Sequence, residues 1–421
     1  MREALSGLTT RGRGFLAAGI AAALLALVLG ENDLLRVGLL LALLPMASAA
    51  TVTLTRFRLS CHRRLEPDRL QVGSPAQVLI RLENVSRLPN GVMRLEDQVP
   101  YALGSRPRFV LGQLWPRTAT TVAYTVRADV RGRYRIGPLS VRLTDLFGLC
   151  EVSRSFANST VLTVTPVIHR LPAIRIGGEY VGSGETRPRS AAVHGEDDAA
   201  TREYRHGDDL RKVHWRSTAR TGELMVRREE QPRQSRAVVV LDTRAAAHRG
   251  DGPESSLEWA VSAAASISVH LAHAGYTLRL LTDTGTDLDA GALGGESAVL
   301  DHLAEIRPSR RGGLELAAQQ LRRAGGEGLV VAVLGLVDPD EITRLAAVAA
   351  AGNTCVAILL DVTRWTGLSD ARRQAAAATY ETSVELLARA GWHMLPARPG
   401  AALADLWTQA APGVPASGGV R

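Results

Sequence analysis

The sequence has almost no lysine and is poor in cysteine and aromatic residues. Lys212 is the one lysine among 50 lysine and arginine residues, and aromatics make up 4% of the chain. Arginine favours bidentate contact with carboxylates and phosphates. The bias runs the length of the chain, so the net charge of +8 reads as composition rather than as one basic face for nucleic acid. Cys61, Cys150 and Cys355 are odd in number and far apart. That spacing gives neither a disulfide framework nor a zinc site and fits a reducing compartment. Gly-x-x-x-x-Gly-Lys-Ser/Thr, Gly-x-Gly-x-x-Gly and Gly-x-Ser-x-Gly are all missing. Nucleotide hydrolysis through a P-loop and a serine nucleophile elbow are thereby excluded.

What is present fits a folded protein. Of 421 residues, 46% are apolar and 22% charged, outside the disordered range. Two stretches near the N-terminus carry no charge: Gly14 to Gly30 and Val37 to Thr55. As helices they would span roughly 26 and 28 Å, close to a hydrocarbon core of about 30 Å. Glu31, Asn32, Asp33 and Arg36 lie between them as a short polar connector. Arg2, Arg11 and Arg13 precede the pair, and Arg56, Arg58, Arg63 and Arg64 follow it. The positive-inside rule then predicts a two-pass plasma-membrane anchor with both termini and the soluble domains cytoplasmic. Ala47-Ser48-Ala49 resembles a signal-peptide cleavage site but lies too far from the N-terminus for one. Neither run has an ionisable residue at its centre, so an anchor is expected rather than a transport path.

Residues 57–170 read as β. Gln77–Glu83, Thr121–Arg127, Leu139–Leu143 and Val161–Val164 alternate with period two, and glycine and proline punctuate between them. Short strands with regular turns predict a β-sandwich, immunoglobulin-like but without the Cys…Trp…Cys hallmark of antibody domains. From Ala237 the pattern changes to apolar strand runs alternating with helices, as in Ala237–Asp242, Leu329–Leu334 and Cys355–Leu360. That alternation predicts an open, mostly parallel, doubly wound sheet over 237–410, with ligands binding beyond its strand C-termini. The predicted organisation is a hairpin over 1–56, the sandwich over 57–170, a linking segment over 171–236, the α/β domain over 237–410 and a disordered tail over 411–421.

The linking segment holds the longest motif. It runs Arg202-x-Tyr204-x-x-Gly207-Asp208-Asp209-x-Arg211-x-x-His214-Trp215-x-x-x-Ala219-Arg220, followed by Gly222-x-Leu224-x-Val226-Arg227. Its ten basic and six acidic residues over 202–236 suggest local ion pairs rather than a phosphate-binding face. Asp208 or Asp209 would cap a short helix over Leu210–Trp215. Asp208, Asp209, His206 and His214 also lie close enough in sequence for acid–base chemistry, though a polar turn gives the same spacing.

This wording resembles the signature of the bacterial domain-of-unknown-function 58 family. Arg131-Gly132-Arg133-Tyr134, Gly137-Pro138 and Asp145-Leu146-Phe147-Gly148-Leu149 resemble the family's upstream β region, with Leu146 where proline is commoner. The resemblance implies a membrane-anchored protein of unassigned activity. It also implies a MoxR-type AAA+ ATPase as partner, and a transglutaminase-like membrane protein encoded nearby. The signature residues Arg202 to Arg220 are then expected either to staple the segment to the adjacent sheet or to touch that partner.

The resemblance further implies a von Willebrand factor A-like fold, which holds a divalent cation through Asp-x-Ser-x-Ser after its first strand. Here those positions read Asp242-Thr243-Arg244-Ala245-Ala246. Asp242 alone keeps a hard oxygen ligand, and Arg244 puts a cation beside it. A salt bridge is expected there and metal is not. His270 and His273 share a helix without a carboxylate or thiol to complete a metal set. The expectation is a non-enzymatic adaptor or scaffold without cofactor, bound to lipid and protein but not nucleic acid, serving cell-envelope assembly. A metal-dependent ligand-binding protein is the alternative.

Overall fold

The computed structural model describes residues 7–54, 59–87, 89–145, 147–176, 179–181, 201–204, 213, 215–227, 235–292, 294–310, 313–323, 328–365 and 368–411. The chain divides after Thr165 into two units.

The first unit opens with α1 (Thr10–Leu29) and α2 (Asn32–Leu54). Both are long and apolar enough to cross a membrane. The connector is shorter than the charge pattern suggests. Asn32, Asp33 and Arg36 belong to α2, where Arg36 and Asp33 pair at 2.9 Å one turn apart. Gly30 ends α1 in a left-handed conformation at φ 74°. The helices pack through small residues. A Cβ on Gly19 would lie 2.6 Å from the Ala42 nitrogen, and one on Gly38 would lie 2.6 Å from the Ala23 nitrogen. Only glycine permits that backbone approach, the usual way apolar helices associate in lipid.

Ten strands follow: β1 (Leu59–Glu66), β2 (Arg69–Gln71), β3 (Pro75–Asn84), β4 (Met93–Asp97), β5 (Arg108–Leu111), β6 (Ala119–Arg127), β7 (Gly132–Ile136), β8 (Leu139–Thr144), β9 (Glu151–Phe156) and β10 (Thr160–Thr165). They form the sheets β1-β3-β6, β5-β4-β8-β9 and β2-β10-β7. Along β3 alternate residues are buried, and Val78, Ile80 and Leu82 meet Leu95, Val141 and Leu162 of the other sheets in one core. The period-two reading is thus a two-faced β-sandwich. Within it Asp97 is fully buried and accepts hydrogen bonds from Arg63 and Tyr124, both at 2.5 Å.

The second unit starts with the hairpin β11 (Ile174–Ile176) and β12 (Glu179–Val181), then β13 (Thr201–Glu203), α3 (Trp215–Thr221) and β14 (Met225–Arg227). Ile174 and Ile176 pack into the second unit's core. Of the helix expected over Leu210–Trp215, residues 210–212 and 214 lie outside the described residues; Val213 pairs antiparallel with Val226, and α3 begins at Trp215. A residue held in a β-bridge has an extended backbone and does not continue a helical turn.

The main sheet comprises β15 (Arg236–Leu241), β16 (Thr277–Thr282), β17 (Asp287–Asp289), β18 (Leu329–Leu334), β19 (Thr354–Leu360) and β20 (His393–Ala397), in the order β17-β16-β15-β18-β19-β20. All pairs are parallel except the edge pair of β16 with β17. The helices are α4 (Ser256–His273), α5 (Glu296–Glu305), α6 (Glu315–Arg323), α7 (Pro339–Ala346), α8 (Asp370–Arg389) and α9 (Leu403–Thr408). Ala237, Val239 and Leu241 of β15 face a core shared with α4, α5 and α9. Val238 and Val240 face the opposite core with α6, α7 and α8. Burial on both faces is why β15 reads as a continuous apolar run. Residues 412–421 of the expected tail lie outside the described residues.

Candidate functional site

From β15 the chain runs through α4 to β16 on one side, then crosses to β18 on the other. Connections therefore diverge at the C-terminal ends of β15 and β18, where an open α/β sheet offers its ligand crevice. Asp242 follows β15 there and is fully buried.

Arg244 fills this position. Its Nε donates to Asp242 Oδ1 at 2.9 Å and one terminal nitrogen to Oδ2 at 3.0 Å. That same terminal nitrogen donates to the Leu336 carbonyl at 3.3 Å, and the other donates to Glu341 Oε2 at 2.6 Å. The Arg244 main-chain nitrogen donates to Asp242 Oδ1 at 3.1 Å, and Gly335 N donates to Oδ2 at 3.3 Å. Both Asp242 oxygens are thus engaged by the protein itself. Burial works against the Arg244 charge, but the bonds and charges of Asp242 and Glu341 outweigh it and raise its pKa. Glu341 is pushed above its ordinary range, first by burial and then by Glu315, with Arg244 opposing.

A second carboxylate supports the same corner. Asp283, buried just beyond β16, accepts from Thr243 N at 2.8 Å and Thr243 Oγ1 at 2.5 Å. Ser309 Oγ donates to its other oxygen. Ser309 N also donates to the Thr243 carbonyl at 2.7 Å, tying the loop after α5 to the end of β15. His248 completes the corner. A carbonyl can only accept, so His248 Nε2 carries the proton and donates to the Asp242 oxygen at 2.8 Å. Nδ1 then accepts from Ser256 Oγ at 3.1 Å. Burial holds the His248 pKa below its ordinary value.

Among the described residues no cluster of three or more His, Cys, Asp or Glu is arranged to hold a metal. Asp338 serves as the N-cap of α7, accepting from Asp340 N at 3.1 Å. His270 meets Trp407 edge-on at 5.8 Å between ring centroids, whereas His273 pairs with Glu296 at 3.0 Å. The two histidines therefore have separate partners.

Of the signature residues, Gly207, Asp208, Asp209, Arg211 and His214 lie outside the described residues, as does His206. Arg202 sits in β13, opposite Val226 of β14. Tyr204 N donates to the Leu224 carbonyl at 2.8 Å. Trp215, Ala219 and Arg220 lie on α3, which buries none of its residues. Trp215 is 71% exposed, and Ala219 one turn on is exposed too. Sequence reading missed Asp283, Ser309, His248 and Glu341. Asp283 had a signal, since it follows the apolar strand β16 as Asp242 follows β15. Ser309 had none.

The architecture defines a class: an apolar helical hairpin and β-sandwich joined to a mostly parallel α/β unit whose ligand crevice is occupied by its own arginine. Residues 200–367 match the family model described as Protein of unknown function DUF58. The chain is similar to the uncharacterized protein YeaD of Bacillus subtilis, 25% identical over 209 residues, 48% of this chain and 50% of that protein. It thus spans about half the length of this relative. The fold comparison also finds a CARDB domain from Pyrococcus furiosus at 12% identity, covering 26% of this chain and 93% of that one, TM-score 0.18. A cohesin module from Clostridium perfringens has 9% identity, covering 26% and 97%, TM-score 0.19.

Proposed function

We propose that this protein is a non-enzymatic membrane-anchored adaptor whose second unit presents a protein-binding surface. The observation that carries the reading is the Asp242–Arg244–Glu341 cluster. The crevice where an open α/β sheet takes its ligand is filled by a buried guanidinium paired with Asp242 and Glu341 of the same chain. The mostly parallel sheet with its antiparallel edge strand fits a von Willebrand A-like module working without an ion. The sandwich, on this reading immunoglobulin-like, is the spacer between anchor and module.

On this account α1 and α2 span the plasma membrane, and the flanking arginines keep both termini and the soluble units in the cytoplasm. The partner is a cytoplasmic AAA+ ATPase of the MoxR type, acting with a transglutaminase-like membrane protein in cell-envelope assembly. Exposed Trp215 is the contact we assign to that partner, since an unburied tryptophan is a common anchor of protein interfaces. Co-purification from detergent extracts tests the reading. Recovery of an AAA+ ATPase with the wild-type chain and its loss with Trp215→Ala is expected. Repeated absence of any such ATPase overturns it.

A further inference from the structure

The first unit carries a feature that the adaptor reading leaves unused. The turn formed by Phe147–Cys150 grips the start of α1. Thr9 N donates to the Leu149 carbonyl at 2.9 Å, and Thr9 Oγ1 donates to the Gly148 carbonyl at 2.7 Å. Leu8 bridges Cys150, and Glu151 N donates to the Gly7 carbonyl at 2.7 Å. The approach is close enough that a Cβ on Gly12 would come within 2.2 Å of the Leu149 oxygen. The turn is itself braced. Cys150 N donates to Asp145 Oδ1 at 2.8 Å, and Gly148 turns the chain with φ 69°.

The helix length fixes where this clamp must lie. α1 has 20 residues from Thr10 to Leu29. At about 1.5 Å per residue that is roughly 30 Å, of which the uncharged part from Gly14 on supplies about 24 Å to the hydrocarbon core. If α1 spans a bilayer, Arg11 and Arg13 lie at the edge of the core, Thr9 stands about one turn further out in the headgroup layer, and the turn is one hydrogen bond away. On this turn Phe147 is 62% exposed. Arg11 and Arg13, in the first turn of α1, are exposed as well.

We propose that the Phe147–Cys150 turn is a membrane-interface anchor: the sandwich is seated on the lipid surface, with Phe147 at the headgroup–acyl boundary and Arg11 and Arg13 beside lipid phosphates. An aromatic ring next to basic residues is the side-chain chemistry that partitions to this boundary. The occupant is lipid rather than protein because the turn is continuous with the membrane helix it holds. The inference rests on the reading of α1 and α2 as membrane-spanning.

The test uses the full chain in vesicles of phosphatidylethanolamine and phosphatidylglycerol. Cys61, Cys150 and Cys355 are buried, so an exposed engineered cysteine takes an environment-sensitive fluorophore selectively. Phe147→Cys and, separately, Leu25→Cys in α1 are labelled. Each is compared with and without phospholipid bearing a nitroxide high on the acyl chain. The expected result is at least twofold quenching at both positions. Quenching at Leu25→Cys alone overturns the interface anchor and leaves the membrane span standing. Quenching at neither overturns both. Cys61 is the folding check, since it takes label only if the sandwich opens. In that event, quenching of Phe147→Trp by brominated phospholipid reads the same position.

Discussion

The guanidinium of Arg244 lies 2.9 and 3.0 Å from the two carboxylate oxygens of Asp242, its neighbour two residues back. Both groups are buried where β15 and β18 diverge. The pair sets a guanidinium, balanced by its own carboxylate, in a place where this type of sheet would otherwise recruit a ligand.

Removing one side of a buried pair leaves an uncompensated charge. Arg244→Met should therefore destabilise the second unit by about 3–5 kcal/mol. Adding Asp242→Asn should recover part of the loss, because the stranded carboxylate goes too. Chemical denaturation of the single and double variants closes the cycle. Equal stability of parent and Arg244→Met would mean that the corner relaxes around the gap.

His248 makes stability depend on pH in one direction. Its folded pKa lies below the ordinary value of 6.5 because burial disfavours the charge. The unfolded chain therefore takes up the proton first on acidification. Stability from this group is complete above the unfolded pKa and falls as pH drops toward the folded one, by up to about 1.4 kcal/mol per pH unit. His302 is shifted the same way by burial and adds to the slope. The comparison is therefore between parent and His248→Gln across the same pH series. The variant should have the shallower decline below pH 6.5.

The helical hairpin depends on glycine at its contact. Gly38→Leu places a side chain where even a Cβ meets the Ala23 nitrogen at 2.6 Å. Overpacking of this kind costs about 1–3 kcal/mol. Thermal unfolding of the detergent-extracted protein should show an earlier loss of the hairpin, while Leu40→Ala, exposed on α2, should leave it unchanged.

Elements buried on both faces were legible in the sequence, because their apolar runs depend on little beyond themselves. β15, β18 and β19 fall where the runs place them. The edge strand β17 was not legible: Asp287-Leu288-Asp289 is short, acidic and defined only by its pairing with β16. The start of α2 was misjudged because charge marks where apolarity ends, not where helix ends, and Asp33 and Arg36 pair along the helix. Val213 went astray because its partner Val226 is a tertiary choice. At the site, the Asp242–Arg244 pair was readable from two positions separated by one residue. Asp283 reaches Thr243 across 40 residues, and Ser309 reaches Asp283 across 26. No local pattern encodes such distances.

Trp215→Ala should leave stability within about 0.5 kcal/mol, as expected for an exposed side chain. If Trp215 anchors a partner, its loss should weaken that complex at least about tenfold, or roughly 1.4 kcal/mol. Binding to the isolated ATPase, measured alongside denaturation, separates the two effects.

The adaptor account is tested most directly by photo-cross-linking in native membranes from benzoylphenylalanine at Ala219, exposed one turn from Trp215 on α3, with the adducts identified by mass spectrometry. The account predicts an adduct with a cytoplasmic AAA+ ATPase. Membrane-integrated, folded protein that gives no ATPase adduct would contradict it.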